Sequence, residues 1–103
     1  KINLKARKHL DNITVTDRLP GLTKLYHKFP GLHPDKIDEE HRKISWKLDK
    51  LNKGEHRVLS YIIYSKVKTL GRFELPSATA SHQSNGETQH TYSNKTFFIS
   101  EAL

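Results

Sequence analysis

The sequence predicts an all-α fold: a small helical domain built on an antiparallel helical hairpin, followed by an extended polar C-terminal tail. Asn52 and Glu55, three residues apart, match a capping box, which is typical of a helix that begins near Lys53. Gly71 suits the end of that helix, because glycine adopts positive φ without steric cost. Between these two signals, apolar residues recur at the spacing of one helix face: Val58, Leu59, Ile62, Ile63, Val67 and Leu70.

The first arm of the predicted hairpin covers residues 35–51, and the second arm covers residues 53–70. Pro34 precedes the first arm, and the acidic residues 38–40 suit the positive end of a helix dipole. The very short turn between the arms favours antiparallel packing. The apolar side of the first arm consists of Ile37, Ile44, Leu48 and Leu51.

The segment before the hairpin is predicted to contain two shorter helices. We expect a short basic helix over residues 3–10, and an extended stretch over the β-branched residues 12–17. Pro20 suits the first turn of the next helix, which Pro30-Gly31 ends. Its apolar residues fall at helical spacing: Leu22, Leu25, Tyr26 and Phe29. The predicted core joins this helix to the hairpin through Leu25, Phe29, Ile44, Leu48, Leu59, Ile62 and Ile63.

Composition divides the chain into two parts. Residues 1–76 form the predicted helical domain with a basic N-terminal end, and residues 77–103 form the polar extended tail. Ser, Thr, Asn, Gln, Gly and His dominate residues 77–94, and such a composition buries too little apolar surface to offset the entropy of ordering. Phe97 and Phe98 form a small apolar anchor beyond that stretch, and we expect them to dock on a partner.

The chain is strongly basic, with a formal net charge of +7 and a pI of about 9.7. Four cations near the N-terminus form its best cluster and are candidates for phosphate contacts, as in binding to rRNA. The alternative is a solvated face that only keeps the protein soluble. The four are Lys1, Lys5, Arg7 and Lys8.

Signals for catalysis, metals or cofactors are weak, so the sequence predicts a non-catalytic protein with neither a metal site nor a cofactor. The chain has no cysteine, which excludes disulfides and Cys-based zinc sites. No two of its seven histidines are four residues apart, as a helical metal pair requires. No apolar run approaches the roughly 18 residues of a membrane-spanning helix.

The middle of the chain resembles the matrix-side domain of the cytochrome c oxidase subunit IV family, whose fungal form is called subunit five. The resemblance lies in the order and spacing of Trp46, Leu51, Glu55, Leu59, Tyr61, Ile62 and Tyr64. It implies a non-catalytic structural subunit of a large mitochondrial assembly, in the matrix or on the matrix face of the inner membrane. It also implies that Trp46, Tyr61 and Tyr64 dock against larger protein subunits. Members of that family continue into a transmembrane helix, whereas this chain continues into a polar stretch.

Two alternative functions remain open at this stage. One is a basic mitochondrial ribosomal protein that contacts rRNA and protein, which the pI and the long polar tail favour. The other is a winged-helix-like DNA-binding domain, because residues 51–59 resemble the entry to such a helix. The second alternative lacks a convincing recognition helix, since residues 71–84 form helices poorly.

Overall fold

The fold is built from β-strands. The computed structural model describes the backbone of residues 1–65, 71–84, 86–94 and 96–100, which contains eleven strands and no helix. The strands are β1 (Ile2–Lys5), β2 (Leu10–Arg18), β3 (Thr23–Tyr26), β4 (Lys36–Asp38), β5 (Lys43–Leu51), β6 (His56–Leu59), β7 (Ile62–Ser65), β8 (Gly71–Leu75), β9 (Thr79–Ser84), β10 (Glu87–Tyr92) and β11 (Thr96–Ser100).

The all-α prediction is therefore wrong, and β5 shows why. Its buried residues alternate with outward-facing ones: Ile44 and Trp46 are buried, whereas Lys43 and Lys47 are exposed. This period of two belongs to a strand with one face in the core. Ile44, Leu48 and Leu51 also match helical spacing, and that coincidence produced the helix prediction.

The predicted helix start at Asn52 is a turn between β5 and β6. The reciprocal contact expected of a capping box is present, because the Asn52 amide donates to Glu55 Oε1 at 3.0 Å. The Glu55 amide donates to the Asn52 carbonyl at 3.0 Å, and Gly54 has φ of 86°, so the chain turns sharply. The Asn52 side chain bonds the His9 ring at 2.9 Å instead of capping a helix. The same local chemistry thus serves a tight turn.

Five antiparallel strands form the larger sheet, in the order β10-β9-β2-β5-β4. A second layer consists of two antiparallel pairs, β1 with β6 and β3 with β7. Only Ser60 and Tyr61 separate β6 from β7, so this stretch pairs first with β1 and then with β3.

The core lies between these two layers. Ile13, Val15, Ile44 and Trp46 point into it from the larger sheet, and Leu25 and Leu59 meet them from the second layer. Of the predicted core residues, Leu25, Ile44 and Leu59 are buried, and Phe29, Leu48 and Ile63 pack partly buried against the cluster. Ile62 is 46% exposed and lies outside the core.

The stretch predicted as a polar tail contributes one long hairpin. The pairing of β9 with β10 and of β8 with β11 keeps a single register, from Glu87 opposite Ser84 to Ser100 opposite Gly71. Between the two ladders the Ser93 amide donates to the Ala78 carbonyl at 2.8 Å. β9 and β10 need few apolar side chains, because backbone hydrogen bonds hold them together and β9 also pairs with β2.

Candidate peptide-binding groove

A groove lies between the two layers along one side of the molecule. Residues of β1 line it from the second layer, and residues of β2, β9 and β10 line it from the larger sheet. The groove encloses about 230 Å³. Most of its lining is apolar or small: Ile2, Leu4, Leu10, Ile13, Val15, Leu51, Ala78 and Ala80.

The edge of β1 faces this groove. All four consecutive residues from Ile2 to Lys5 line it, although alternate side chains of a strand point to opposite faces. Such a lining arises only where the strand's own edge borders the space. No described strand other than β6 pairs with β1, so this edge offers its backbone groups to a further strand.

The hydrogen bonds to β6 identify which backbone groups are exposed. The Ala6 amide donates to the Glu55 carbonyl at 3.1 Å and so points towards β6. Because amide directions alternate along a strand, the Leu4 amide also points towards β6, and those of Asn3 and Lys5 point to the groove edge. Two donors and two acceptors are thus presented over four residues, a length of about 13 Å.

The groove edge is also basic. Ile2 and Leu4 are half-buried against the core, whereas Asn3 and Lys5 on the other face of β1, and Lys1 just before the strand, are exposed. Neither lysine forms an ion pair with the carboxylates of the described residues. A strand added beside β1 would place its own outward side chains next to these lysines.

The predicted phosphate-contacting residues are only partly brought together. Lys5 lies on the outward face of β1, Lys1 is exposed just before the strand, and Arg7 and Lys8 lie exposed in the following bend. The sequence identified the basic character of this end but not the groove beside it. The alternation of Ile2 and Leu4 with polar residues was the signal that could have identified β1 as a strand.

The three predicted docking aromatics do not form one surface. Trp46 is fully buried, and its Nε1 donates to the Leu32 carbonyl at 3.2 Å. The Tyr61 ring lies beside it, with centroids 6.1 Å apart, and Tyr64 is half exposed on β7. The side chains of the other two predicted docking residues, Phe97 and Phe98, lie outside the described residues.

Tyr61 instead belongs to a buried polar pair. Its hydroxyl donates to Asp17 Oδ2 at 2.6 Å, and the Arg18 amide donates to Asp17 Oδ1 at 2.9 Å. Burial raises the pKa of Asp17 above its ordinary value, and the two hydrogen bonds oppose that shift. Burial and the Asp17 carboxylate together raise the pKa of Tyr61. The Tyr61 hydroxyl thus supplies a hydrogen bond to a carboxylate that the fold buries, as buried polar groups require.

The described residues include no cluster of three His, Asp or Glu side chains that could hold a metal ion. Among the same residues no helix is long and apolar enough to cross a membrane. No protein-family model, no curated protein and no solved structure matches this chain.

The functions predicted from helical structure need correction. A domain like that of cytochrome c oxidase subunit IV is helical, whereas the described residues form only β-strands, so that function is wrong. The winged-helix alternative fails because no recognition helix occurs among these residues. The ribosomal alternative loses its main structural support, because the supposed polar tail is a paired hairpin. The mitochondrial location rested on the same resemblance and stays a prediction that no comparison supports.

Proposed function

We propose that this chain is a non-catalytic interaction domain that binds an extended, acidic segment of a partner protein by β-strand addition. The observation that carries the proposal is the edge of β1 to which no other described strand pairs, beside an apolar groove. Backbone hydrogen bonds to such an edge supply affinity, and pockets for alternate side chains supply specificity.

The groove determines which side chains fit at the inward-facing positions of the partner strand. An added strand continues the second layer beside β1 and covers the inner face of β9 and β10. That face presents small side chains there, Ala78 and Ala80, so the space suits medium-sized apolar residues at every second position. Burial of apolar surface in the groove favours such a complex and offsets part of the entropy lost on association.

Lys5 of β1 and the preceding Lys1 determine which side chains suit the outward-facing positions of the partner strand. Opposite charges directly across neighbouring strands are favourable, and like charges are unfavourable. Asp or Glu at the partner's outward positions would therefore lie beside Lys1 and Lys5. A second copy of this chain fits poorly, because each copy carries a net charge of +7 and the same basic edge.

The test uses a ten-residue peptide in which Val alternates with Glu, labelled for fluorescence anisotropy. Two control peptides have matched length: one has the same composition with the alternation broken, and one has Lys in place of Glu. We expect binding of the alternating acidic peptide alone. Equal binding of the peptide with broken alternation would contradict strand addition.

Asn3→Pro tests the edge itself, and Asn3→Ala is its matched control. Proline removes the Asn3 amide donor, which points away from β6, so the ladder of β1 with β6 stays intact. We expect at least tenfold weaker peptide binding for Asn3→Pro, about 1.4 kcal/mol, and little change for Asn3→Ala. Unchanged affinity in a folded Asn3→Pro protein would refute the proposed edge.

Thr91→Trp provides a second test that does not involve β1. Thr91 is exposed on β10 and lines the groove from the opposite side. Tryptophan suits a strand and would occupy the space that the added strand needs. We expect this variant to melt normally and to lose peptide binding.

A further inference from the structure

The outer face of the five-stranded sheet carries a second candidate site, which is independent of the groove. Register places Arg18 of β2 directly opposite Lys43 of β5, and Thr16 opposite both Ser45 of β5 and Thr79 of β9. The neighbouring residues Asp17 and Ile44 are buried, so these side chains point away from the core. The face thus combines a row of hydroxyl groups with two adjacent cations.

The two cations lack a carboxylate partner. Like charges directly opposite each other destabilise a sheet. No ion pair with the described residues offsets this repulsion at Arg18 or Lys43. Asp38 is the register partner of Lys43 on β4, but its Oδ2 lies 2.9 Å from the His41 ring and its Oδ1 accepts from the His41 amide. Asp17 is engaged inside by Tyr61. An external anion would relieve this repulsion.

A concave surface surrounds the cationic pair. It encloses about 360 Å³, and besides the two cations it is lined by Thr14, Thr16, Pro76, Ser77, Thr79, Ser81 and His90. Serine and threonine hydroxyls both donate and accept hydrogen bonds, as recognition of a polyhydroxylated ligand requires. His90 is the one aromatic ring among the described residues that line this pocket, whereas single-stranded nucleic acid is usually held by stacking on successive aromatic rings.

We infer that this pocket binds an anionic carbohydrate, a sugar that carries sulfate or carboxylate groups. Arg18 and Lys43 hold the oxyanion, and the threonine and serine hydroxyls bond to the sugar hydroxyls. Arg18 suits a bidentate contact, because its guanidinium presents parallel donors to an oxyanion. Lys43 supplies a compact second charge.

The test measures binding of a sulfated hexasaccharide by calorimetry at 150 mM salt, roughly the physiological ionic strength. Three other probes are compared: the unsulfated hexasaccharide, inorganic sulfate and a single-stranded oligonucleotide of equal charge. We expect the sulfated sugar to bind at least tenfold more tightly than each of the others. Tighter binding of the oligonucleotide, or equal binding of the unsulfated sugar, would overturn the inference.

Variants assign the contacts. Arg18→Gln and Lys43→Gln each should weaken binding of the sulfated sugar at least tenfold, while the melting temperature stays the same or rises because the like-charge pair is removed. Thr16→Val should weaken the sulfated sugar several-fold and leave inorganic sulfate unchanged. Lys24→Gln, on β3 of the other layer, is the charge-matched control and should bind normally. Wild-type affinity in both cation variants would refute the site.

Discussion

Two isoleucine truncations distinguish the β-sandwich from the helical interpretation of the same sequence. The helical prediction placed Ile44 and Ile62 together in the core, whereas Ile44 is fully buried and Ile62 is 46% exposed. Isoleucine to alanine removes three carbons, worth about 0.8 kcal/mol each when fully buried. For Ile44 the transfer loss of about 2.4 kcal/mol adds to a cavity term, so we expect Ile44→Ala to cost about 3–5 kcal/mol.

The cost of Ile62→Ala should be much smaller. About half of this residue already contacts water, and solvent fills the vacated space, so no cavity term arises. We expect about 1 kcal/mol. Both residues lie in strands, so the change in intrinsic β-propensity is similar in the two variants and largely cancels in the comparison.

Urea denaturation followed by tryptophan fluorescence measures both costs, because Trp46 is the only tryptophan and is fully buried. Unchanged m-values would show that the unfolded states are comparable. By melting temperature, each kcal/mol corresponds to about 4–8 °C for a domain of this size. Equal losses for Ile44→Ala and Ile62→Ala would refute the placement of the core described above.

The remaining predictions concern polar groups and one turn. Asp17→Asn should change the pH dependence of the free energy of unfolding. Because the pKa of Asp17 is raised in the folded protein, the wild type loses stability as pH rises from the ordinary carboxyl pKa through the folded value. Denaturation at several pH values should therefore show the variant becoming more stable relative to the wild type over that window. Tyr61→Phe should cost about 1–3 kcal/mol at neutral pH, because it leaves a buried carboxylate without its donor, and a loss near zero would contradict the importance of the 2.6 Å bond. Arg42→Lys should lower the melting temperature, because the Arg42 guanidinium donates to the carbonyls of Pro20 and Thr23 at 2.6 and 2.9 Å. Lys36→Arg on the surface is the control variant and should leave the melting temperature unchanged. Gly54→Ala should cost about 1 kcal/mol, because residue 54 has φ of 86°; Gly21→Ala, where no positive φ occurs, should cost less.

Some of the fold could be predicted from the sequence, because β2 carries an unambiguous pattern. Ile13 and Val15 alternate with threonines, and residues 12–17 were expected to be extended. β5 was ambiguous, since its apolar residues match both a period of two and a helical period. Trp46 distinguishes the strand period from the helical period. A helix that buried Ile44 and Leu48 would place residue 46 on its flank, whereas a strand places it on the same face as Ile44.

The second layer and the hairpin gave weaker signals. In β6 and β7 the apolar residues come in adjacent pairs, Val58-Leu59 and Ile62-Ile63, and the first member of each pair is exposed, so neither strand alternates in the sequence. β9 and β10 are polar on both faces, so hydrophobic periodicity says little about them. The dipeptide Asn85-Gly86 is a strong hairpin signal that composition alone obscured.

The groove could not be predicted from the sequence. It lies between β1 and the larger sheet, and no local pattern in the sequence reports how many neighbours a strand has. The basic residues beside it could be predicted, yet only the strand pairing shows that Lys5 lies on a strand with an edge to which no other described strand pairs.

Amide hydrogen exchange at β1 tests strand addition most directly. In the free protein we expect the amides of Asn3 and Lys5 to exchange rapidly and that of Leu4 to be protected by its bond towards β6. Saturation with the alternating acidic peptide should protect Asn3 and Lys5 and leave Leu4 little changed. Bound peptide that leaves Asn3 and Lys5 exchanging rapidly would contradict the account, because the peptide would then bind elsewhere or without backbone pairing to β1.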